Sequence, residues 1–141
     1  MRSWVIPSNP TAYLFRRSMA KNGHVDWVTR NKFEVGDTVY VYEVIGSPNG
    51  GGIIYKTEVI MTGLSLGDKF GDIEFWSGQI YPQYITEQTK FSRLKFISEP
   101  NCEGLSFEAL KEHNFTAPQS KAHILDKKPD LLSYIQNHFS V

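Results

Sequence analysis

The sequence predicts an α+β fold, a small mixed β-barrel with short helices around it. Four or five short strand patterns occur along the chain, and the longest are Thr38–Val44, Ile53–Met61 and Phe91–Ile97. Strands and helices do not alternate, as they would in a parallel sheet built from βαβ units. A chain of 141 residues is long enough for one core but not for two. We therefore expect a single domain over residues 1–141.

A short polar segment is expected to connect the first strand to the first helix. Ser3–Ile6 is an apolar run typical of a buried strand, and Asn9 and Pro10 follow it closely. Asn9 is a favoured N-cap and Pro10 suits the first helical position. The pattern predicts a helix from Pro10 to about Lys21. Three side chains should point inward from it: Ala12, Phe15 and Met19.

The central strands are joined by a glycine-rich connection. Thr38–Val44 alternates valine with tyrosine, which is typical of a strand whose side chains make contacts on both faces of a sheet. Residues 47–52 are rich in glycine, but no Gly-Lys-Ser/Thr follows them. This segment therefore predicts a hairpin turn rather than a phosphate-binding loop. Ile53–Met61 is the next strand.

The segment from Gly63 to Lys90 contains no convincing long element. Structureless spans of more than about 12–15 residues inside a domain are usually functional or mobile. This span carries four aromatic residues, whereas a merely disordered segment should be poor in them. They are Phe75, Trp76, Tyr81 and Tyr84. We therefore expect a ligand-facing loop.

The last third of the chain predicts one more strand and two helices. Phe91–Ile97 alternates cationic with apolar residues, as expected of a strand. Ser106 is suited to cap a short helix that ends near His113. Pro129 should begin the last helix, whose apolar stripe comprises Leu131, Leu132, Ile135 and Phe139.

Composition limits the classes of protein to consider. Lysine and arginine total 15 and aspartate and glutamate total 15, so nucleic acid is not held by bulk charge alone. The single Cys102 rules out an internal disulfide and fits a reducing compartment. No run approaches the ~20 apolar residues of a membrane helix. We expect a soluble, cytoplasmic protein.

Sequence motifs of catalysis are absent. The four histidines lack the spacing of a metal site, and one cysteine cannot supply a zinc cluster. The nucleophile elbow, the His-Glu-x-x-His motif and the Walker motif do not occur. We therefore expect a binding domain that has no metal, no cofactor and no catalytic residues.

The residues instead favour a pocket for a flipped nucleobase. Such a pocket needs rings that stack on the base, polar groups at the edge of the base, and cations for the flanking phosphates. The candidate pocket residues are Trp27, Trp76, Ser8, Asn9, Asp26 and Tyr42. The candidate backbone contacts are Arg16, Arg17, Arg30, Lys32, Arg93 and Lys121. Several of them also have a structural interpretation: core tryptophans, Asn9 as a helix cap, Asp26 as an acceptor of backbone hydrogen bonds, and the cations of the first helix as a solvated face.

Four segments, taken in order, resemble the EVE family of the PUA-like superfamily, which is related to the YTH readers of methylated RNA. They are Trp4–Pro10, Asp26–Trp27, Val35–Tyr42 and Ile54–Val59. The resemblance covers about two-thirds of the chain, and Phe91–Ile97 and Ala117–Gln119 are similar to the closing segment of the family. It implies a PUA-like curved barrel of about five or six strands with short flanking helices, which flips a modified base into an aromatic pocket.

The resemblance also implies roles for individual residues. Ser8 and Asn9 match the polar pair after the first strand, Trp27 matches the first ring of the cage, and Trp76 corresponds by order to the ring on the variable loop. Gln119 and Ser120 stand where many members have Gln-Gly. Serine in place of glycine is a departure from the family at this point.

The functional expectation is a DNA reader without catalysis of its own. 5-Methylcytosine or 5-hydroxymethylcytosine is the first choice of base and 6-methyladenine the second. The resemblance implies the N-terminal reader of a modification-dependent, type IV-like restriction endonuclease, often fused to an HNH nuclease or a motor, with duplex DNA as partner. One alternative is an RNA-binding PUA-like module of RNA modification or translation, and another is a nucleoside-processing enzyme using Asp26.

Overall fold

One mixed sheet of six strands dominates the computed structural model, which describes residues 1–28, 32–44, 51–69, 71–101, 103–119 and 121–140. Within these ranges the strands are β1 (Ser3–Ser8), β2 (His24–Val28), β3 (Thr38–Glu43), β4 (Gly52–Leu64), β5 (Phe91–Ser98) and β6 (His123–Ile124). The α-helices there are α1 (Phe15–Asn22), α2 (Phe107–Lys111) and α3 (Pro129–Gln136). Two 3₁₀ turns, Ile73–Phe75 and Ser77–Gln79, interrupt the loop between β4 and β5. The predicted α+β class is confirmed.

The strand order is β2-β5-β4-β3-β1-β6. Neighbouring strands pair antiparallel except β1 and β3, which run parallel with Trp4 opposite Val39. The register shifts between Val41 and Tyr42 and again along the β4–β5 ladder. Such irregularities bend strands and increase the local twist of a sheet. The curved sheet brings the ends of β1 and β2 to one cavity, although these strands are not neighbours in the ladder.

The two faces of the sheet carry separate apolar clusters. Strand alternation sends Val39 and Val41 to one face and Tyr40 and Tyr42 to the other. The first cluster is covered by α1 and the β4–β5 loop, and the second by α2 and α3. Tyr42 is 1% exposed, and its ring centroid lies 5.2 Å from that of Phe115 in the second cluster. The first cluster is the one that contains Trp76.

The predicted start of the first helix is wrong, because α1 begins at Phe15 and not at Pro10. Asn9 caps a turn instead: its side-chain oxygen accepts the amide N–H of Thr11 at 3.0 Å, and its carbonyl accepts the amide of Tyr13. Ala12 is consequently exposed, whereas Phe15 and Met19 are buried as predicted. The helix ends at Gly23, whose φ of 73° is left-handed and suits glycine.

The other predicted elements lie close to their observed positions. Ser106 accepts the amide N–H of Ala109 through its hydroxyl, which confirms it as the cap of α2, and Pro129 begins α3. β4 continues past Met61 to Leu64. Cys102 and the predicted turn at 47–50 lie outside the described residues. None of the described helices is long and apolar enough to cross a membrane.

Candidate functional site

A cavity of about 270 Å³ opens between the end of β1 and the end of β2. Its walls come from several parts of the chain that are distant in sequence. The turn after β1, the end of β2, the β4–β5 loop and the segment before β6 each contribute. The polar and aromatic residues that line it include Asn9, Tyr13, Trp27, Trp76, Tyr84, Gln119 and Lys121.

Three of the aromatic rings that line this cavity, those of Tyr13, Trp27 and Trp76, pack against one another. The ring centroid of Tyr13 lies 4.7 Å from that of Trp76 and 5.9 Å from that of Trp27, in edge-to-face geometry. Trp76 is only 7% exposed, whereas Trp27 is half-buried and packs on Phe15 at 5.3 Å. Both tryptophans predicted from the sequence therefore line one cavity. Tyr13 contacts both of them and was not among the predicted residues.

The β4–β5 loop is hydrogen-bonded to the turn after β1. Tyr13 and Trp76 form an isolated antiparallel bridge. The amide of Leu14 donates to the carbonyl of Phe75 at 2.8 Å, and the amide of Ser77 donates to the carbonyl of Ala12 at 2.9 Å. These bonds satisfy backbone groups at the buried contact and fix the position of Trp76 relative to Tyr13. The part of the loop around Trp76 is therefore held in the cavity wall by backbone hydrogen bonds.

The hydroxyl of Tyr13 lies in a buried polar environment. It donates to the Asp72 carboxylate at 2.9 Å and lies 2.9 Å from the hydroxyl of Ser18, which can donate to it because the carboxylate only accepts. Burial, and then the charge of Asp72, raise the pKa of Tyr13 far above its ordinary value. Tyr13 is therefore a neutral ring with a fixed hydroxyl.

Asn9 and Gln119 supply polar groups at the cavity. The Asn9 side-chain oxygen is already occupied by the amide and hydroxyl of Thr11, which leaves its amide nitrogen to donate. Gln119 is exposed and lines the cavity. Ser8 is 1% exposed and its hydroxyl has no hydrogen-bond partner among the described residues, but it is not a wall residue.

Besides Ser8, two predicted pocket residues lie away from the cavity wall, Asp26 and Tyr42. Asp26 is 2% exposed and is held by Arg93, whose Nε and Nη2 donate to its two carboxylate oxygens at 2.7 and 2.9 Å. This pairing follows from the β2–β5 register, in which the two residues are directly opposite. The hydrogen bond to Asp26 raises the pKa of Arg93. Tyr42 is on the opposite face of the sheet from the cavity, because it alternates with Val41.

The predicted backbone cations fall into two groups. Arg16 donates to Glu43 at 2.9 Å, and this hydrogen bond raises the pKa of Arg16, while Arg93 is paired as described. Arg17, Lys32 and Lys121 are exposed and form no ion pair within the described ranges. Lys121 lies on the cavity wall. Arg30 and Ser120 lie outside the described residues.

Metal-ligating side chains do not gather at this site. Across the described part of the chain, no group of three or more histidine, cysteine, aspartate or glutamate residues could hold a metal ion. The arrangement offers ring stacking, hydrogen bonding and a few cations. These are the means of binding a flat polar ligand.

Solved structures resemble this one over nearly its whole length. A variant of the ASCH protein from Zymomonas mobilis has a TM-score of 0.65 at 15% identity, covering 99% of this chain and 100% of that one. The DUF55 domain of human thymocyte nuclear protein 1 has a TM-score of 0.60 at 12% identity, covering 95% and 97%. Human THYN1 in complex with DNA containing 5-methylcytosine has a TM-score of 0.60 at 11% identity, covering 96% and 97%.

These likenesses define the fold. No protein-family model matches the sequence, and a comparison with curated proteins gives no match. The chain has the PUA-like α+β fold, a curved mixed sheet with three short helices in the described ranges. The DUF55 and ASCH structures share this fold, which confirms the fold that the resemblance to the EVE family implied.

Proposed function

We propose that this chain is a reader of modified DNA bases that accepts a flipped base in the cavity between β1 and β2. The observation that carries the proposal is the convergence of three rings, Tyr13, Trp27 and Trp76, with the amides of Asn9 and Gln119 around one cavity. A flipped base is held by stacking on rings and by hydrogen bonds to its edge. The cavity, at about 270 Å³, is slightly below the roughly 300–1,000 Å³ of drug-sized ligand sites, which suits a single base.

The choice of base follows from the chemistry of the wall and from a neighbour of the same fold. Human THYN1 binds DNA that contains 5-methylcytosine. An apolar wall of rings suits an added methyl group, since burial of one CH₂-sized group contributes about 0.8 kcal/mol. We therefore place 5-methylcytosine and 5-hydroxymethylcytosine first and 6-methyladenine second. The chain itself is proposed to bind without catalysis.

Binding to matched duplexes tests the proposal. Fluorescence anisotropy is measured with one duplex sequence carrying cytosine, 5-methylcytosine, 5-hydroxymethylcytosine or 6-methyladenine, and with single-stranded RNA of the same sequence. We expect one modified duplex to bind about tenfold tighter than the unmodified one, which corresponds to about 1.4 kcal/mol. Equal affinity for all duplexes would refute modified-base reading. Tighter binding to the RNA would favour an RNA-binding PUA-like module.

Base flipping is tested separately by weakening the pair that must open. Flipping costs a few kcal/mol of unpairing and unstacking, and it costs least at a mismatch. A mismatch opposite the modified base should therefore tighten binding, while the same mismatch placed five pairs away should not. Equal affinity for these two duplexes would show that the base is read within the helix.

We further propose a biological setting, the specificity module of a modification-dependent restriction system with a fused or associated nuclease. This rests on the resemblance of Trp4–Pro10 and Val35–Tyr42 to the EVE family. On cells that carry the full gene and its neighbours, a phage with hydroxymethylcytosine DNA should form fewer plaques than an unmodified derivative of that phage forms. Equal plating of the two phages would argue against the restriction role and leave the binding proposal standing.

A further inference from the structure

A buried ionic cluster adjoins the aromatic wall without lining the cavity. The side chains of Asp72 and Lys69 are 0% and 1% exposed, and they form an ion pair three residues apart. Taking two charges out of water is costly, so such a pair is weak evidence for stability by itself. What distinguishes this pair is the set of hydrogen bonds that Asp72 accepts.

Both tyrosines that donate to Asp72 also contact Trp76. The Tyr13 hydroxyl donates to one carboxylate oxygen at 2.9 Å, and the Tyr81 hydroxyl lies 3.3 Å from the other. The ring centroids of these tyrosines lie 4.7 and 6.3 Å from that of Trp76, both edge to face. One carboxylate therefore sets the positions of two rings that pack on the same indole.

Lys69 completes the cluster from the other side. Its ammonium lies 5.2 Å from the ring centroid of Tyr81 and 5.3 Å from that of Phe91, in addition to its pair with Asp72. Phe91 is the first residue of β5 and is fully buried. The cluster thus connects the β4–β5 loop to the sheet through charge and ring contacts.

We propose that Asp72 is a positioning residue for ligand recognition. Through the hydroxyls of Tyr13 and Tyr81 it holds Trp76 as a preformed wall of the cavity, so that no ordering of this ring is needed on binding. Asp72 thereby sets the ratio of affinities for modified and unmodified DNA, and this part of the inference rests on the proposed function.

The first test measures whether the Trp76 ring adopts one position in the absence of any ligand. In protein labelled with 5-fluorotryptophan, the ¹⁹F resonance of Trp76 is assigned by its loss in Trp76→Phe. Wild type should give one narrow line for this ring, and both Asp72→Asn and Tyr81→Phe should broaden or split it. Tyr81→Phe keeps the ring and the ion pair, so it folds even if Asp72→Asn does not. An unchanged line in Tyr81→Phe overturns the positioning role.

The second test measures recognition with a double-mutant cycle. We expect Asp72→Asn to lower the affinity ratio by up to about tenfold, which is the whole of the expected wild-type preference, because both tyrosine hydroxyls lose their charged acceptor. Tyr81→Phe should lower it about two- to tenfold, as for one hydrogen bond. In a Trp76→Phe background neither change should lower the ratio further, because both act through Trp76.

A purely structural role predicts a different pattern. In that case the variants melt at lower temperature while the affinity ratio, measured where each is fully folded, stays at the wild-type value. A fully additive loss with Trp76→Phe would likewise overturn the proposal. If wild type shows no preference among duplexes, the proposed function fails and with it the recognition role of Asp72. The ¹⁹F line of Trp76 then still decides whether Asp72 positions the ring.

Discussion

The two cavity tryptophans should respond differently to truncation, because they differ in burial. Trp76 is 7% exposed and belongs to the first apolar cluster. Trp27 is half-buried and packs against the outside of this cluster. Stacking of a base on an aromatic ring contributes about 1–3 kcal/mol. Trp27→Ala should therefore weaken binding to the preferred duplex by roughly 5- to 150-fold, using 1.4 kcal/mol for each factor of ten.

The loss of stability should be larger for Trp76→Ala than for Trp27→Ala. Truncation of a buried tryptophan to alanine costs about 3–5 kcal/mol, and Trp76→Ala falls in that range. Trp27 loses fewer contacts, so we expect about 2 kcal/mol from Trp27→Ala, roughly half of the fully buried value. For a domain of this size, Trp76→Ala should lower the Tm by about 10–20 °C, at roughly 3–4 °C for each kcal/mol.

Urea unfolding and fluorescence anisotropy on the same variants measure the two effects. A matched control is Phe107→Ala, which truncates a half-buried ring on the opposite face of the sheet. This control should lose stability to a similar degree as Trp27→Ala and keep the wild-type affinity ratio. If Trp27→Ala folds and still discriminates like wild type, Trp27 does not hold the base. If it fails to fold, the ring is part of the core and the assignment of Trp27 to the pocket is wrong.

The remaining predictions concern the charged residues. Arg17→Gln and Lys121→Gln should each weaken all duplexes alike and reduce the slope of log K against log salt by about 1 in a salt titration, and a changed base preference would contradict a phosphate contact. Arg93→Gln leaves Asp26 buried without its guanidinium and should cost about 3–5 kcal/mol in urea unfolding, so that a variant of wild-type stability would contradict a structural pair. Burial alone would raise the pKa of Asp37, but hydrogen bonds and the Arg2 charge lower it below its ordinary value. The ionised carboxylate therefore stabilises the fold fully above its unfolded-state pKa, and this stability is lost as pH falls through the folded pKa. Thermal melts of wild type and Asp37→Asn should differ near pH 7 and converge in acid; a difference that widens in acid would reverse the sign.

Much of the fold could be predicted because its signals are local. The alternation in Thr38–Glu43, the cap at Ser106 and the proline that opens α3 each require only a few neighbouring residues. The start of α1 could not be predicted in the same way. Asn9 followed by Pro10 is favourable for a helix and also for a turn. The bridge between Tyr13 and Trp76 accompanies the turn, and it depends on a residue far along the chain.

The residues of the site could likewise be predicted only where neighbouring residues in the sequence are sufficient. A period of two shows that Val41 and Tyr42 face opposite sides of β3, but it does not show which side holds the cavity. The pairing of Asp26 with Arg93 requires the β2–β5 register. Tyr13 was missed because the predicted helix from Pro10 placed it within a regular element. Once the chain is known to turn at Asn9, an aromatic four residues later becomes a natural candidate for the wall.

Charge pairing leaves only some of the predicted backbone cations available for phosphate contacts. Among the predicted backbone cations in the described ranges, Arg16 and Arg93 are each bound to a buried carboxylate, whereas three are exposed and form no ion pair there: Arg17, Lys32 and Lys121. Three phosphate contacts give a salt slope of about −2.7, so affinity would fall only about 40-fold between 50 and 200 mM salt. A protein with 6–10 contacts loses about 10³–10⁵ over the same range. Phosphate contacts act alike on modified and unmodified sites, so under the proposed function the difference between the two sites comes from the rings and amides that meet the base. Under that proposal, a chain with balanced charge obtains its preference among bases from the cavity, since general attraction to the DNA backbone is the same for every base.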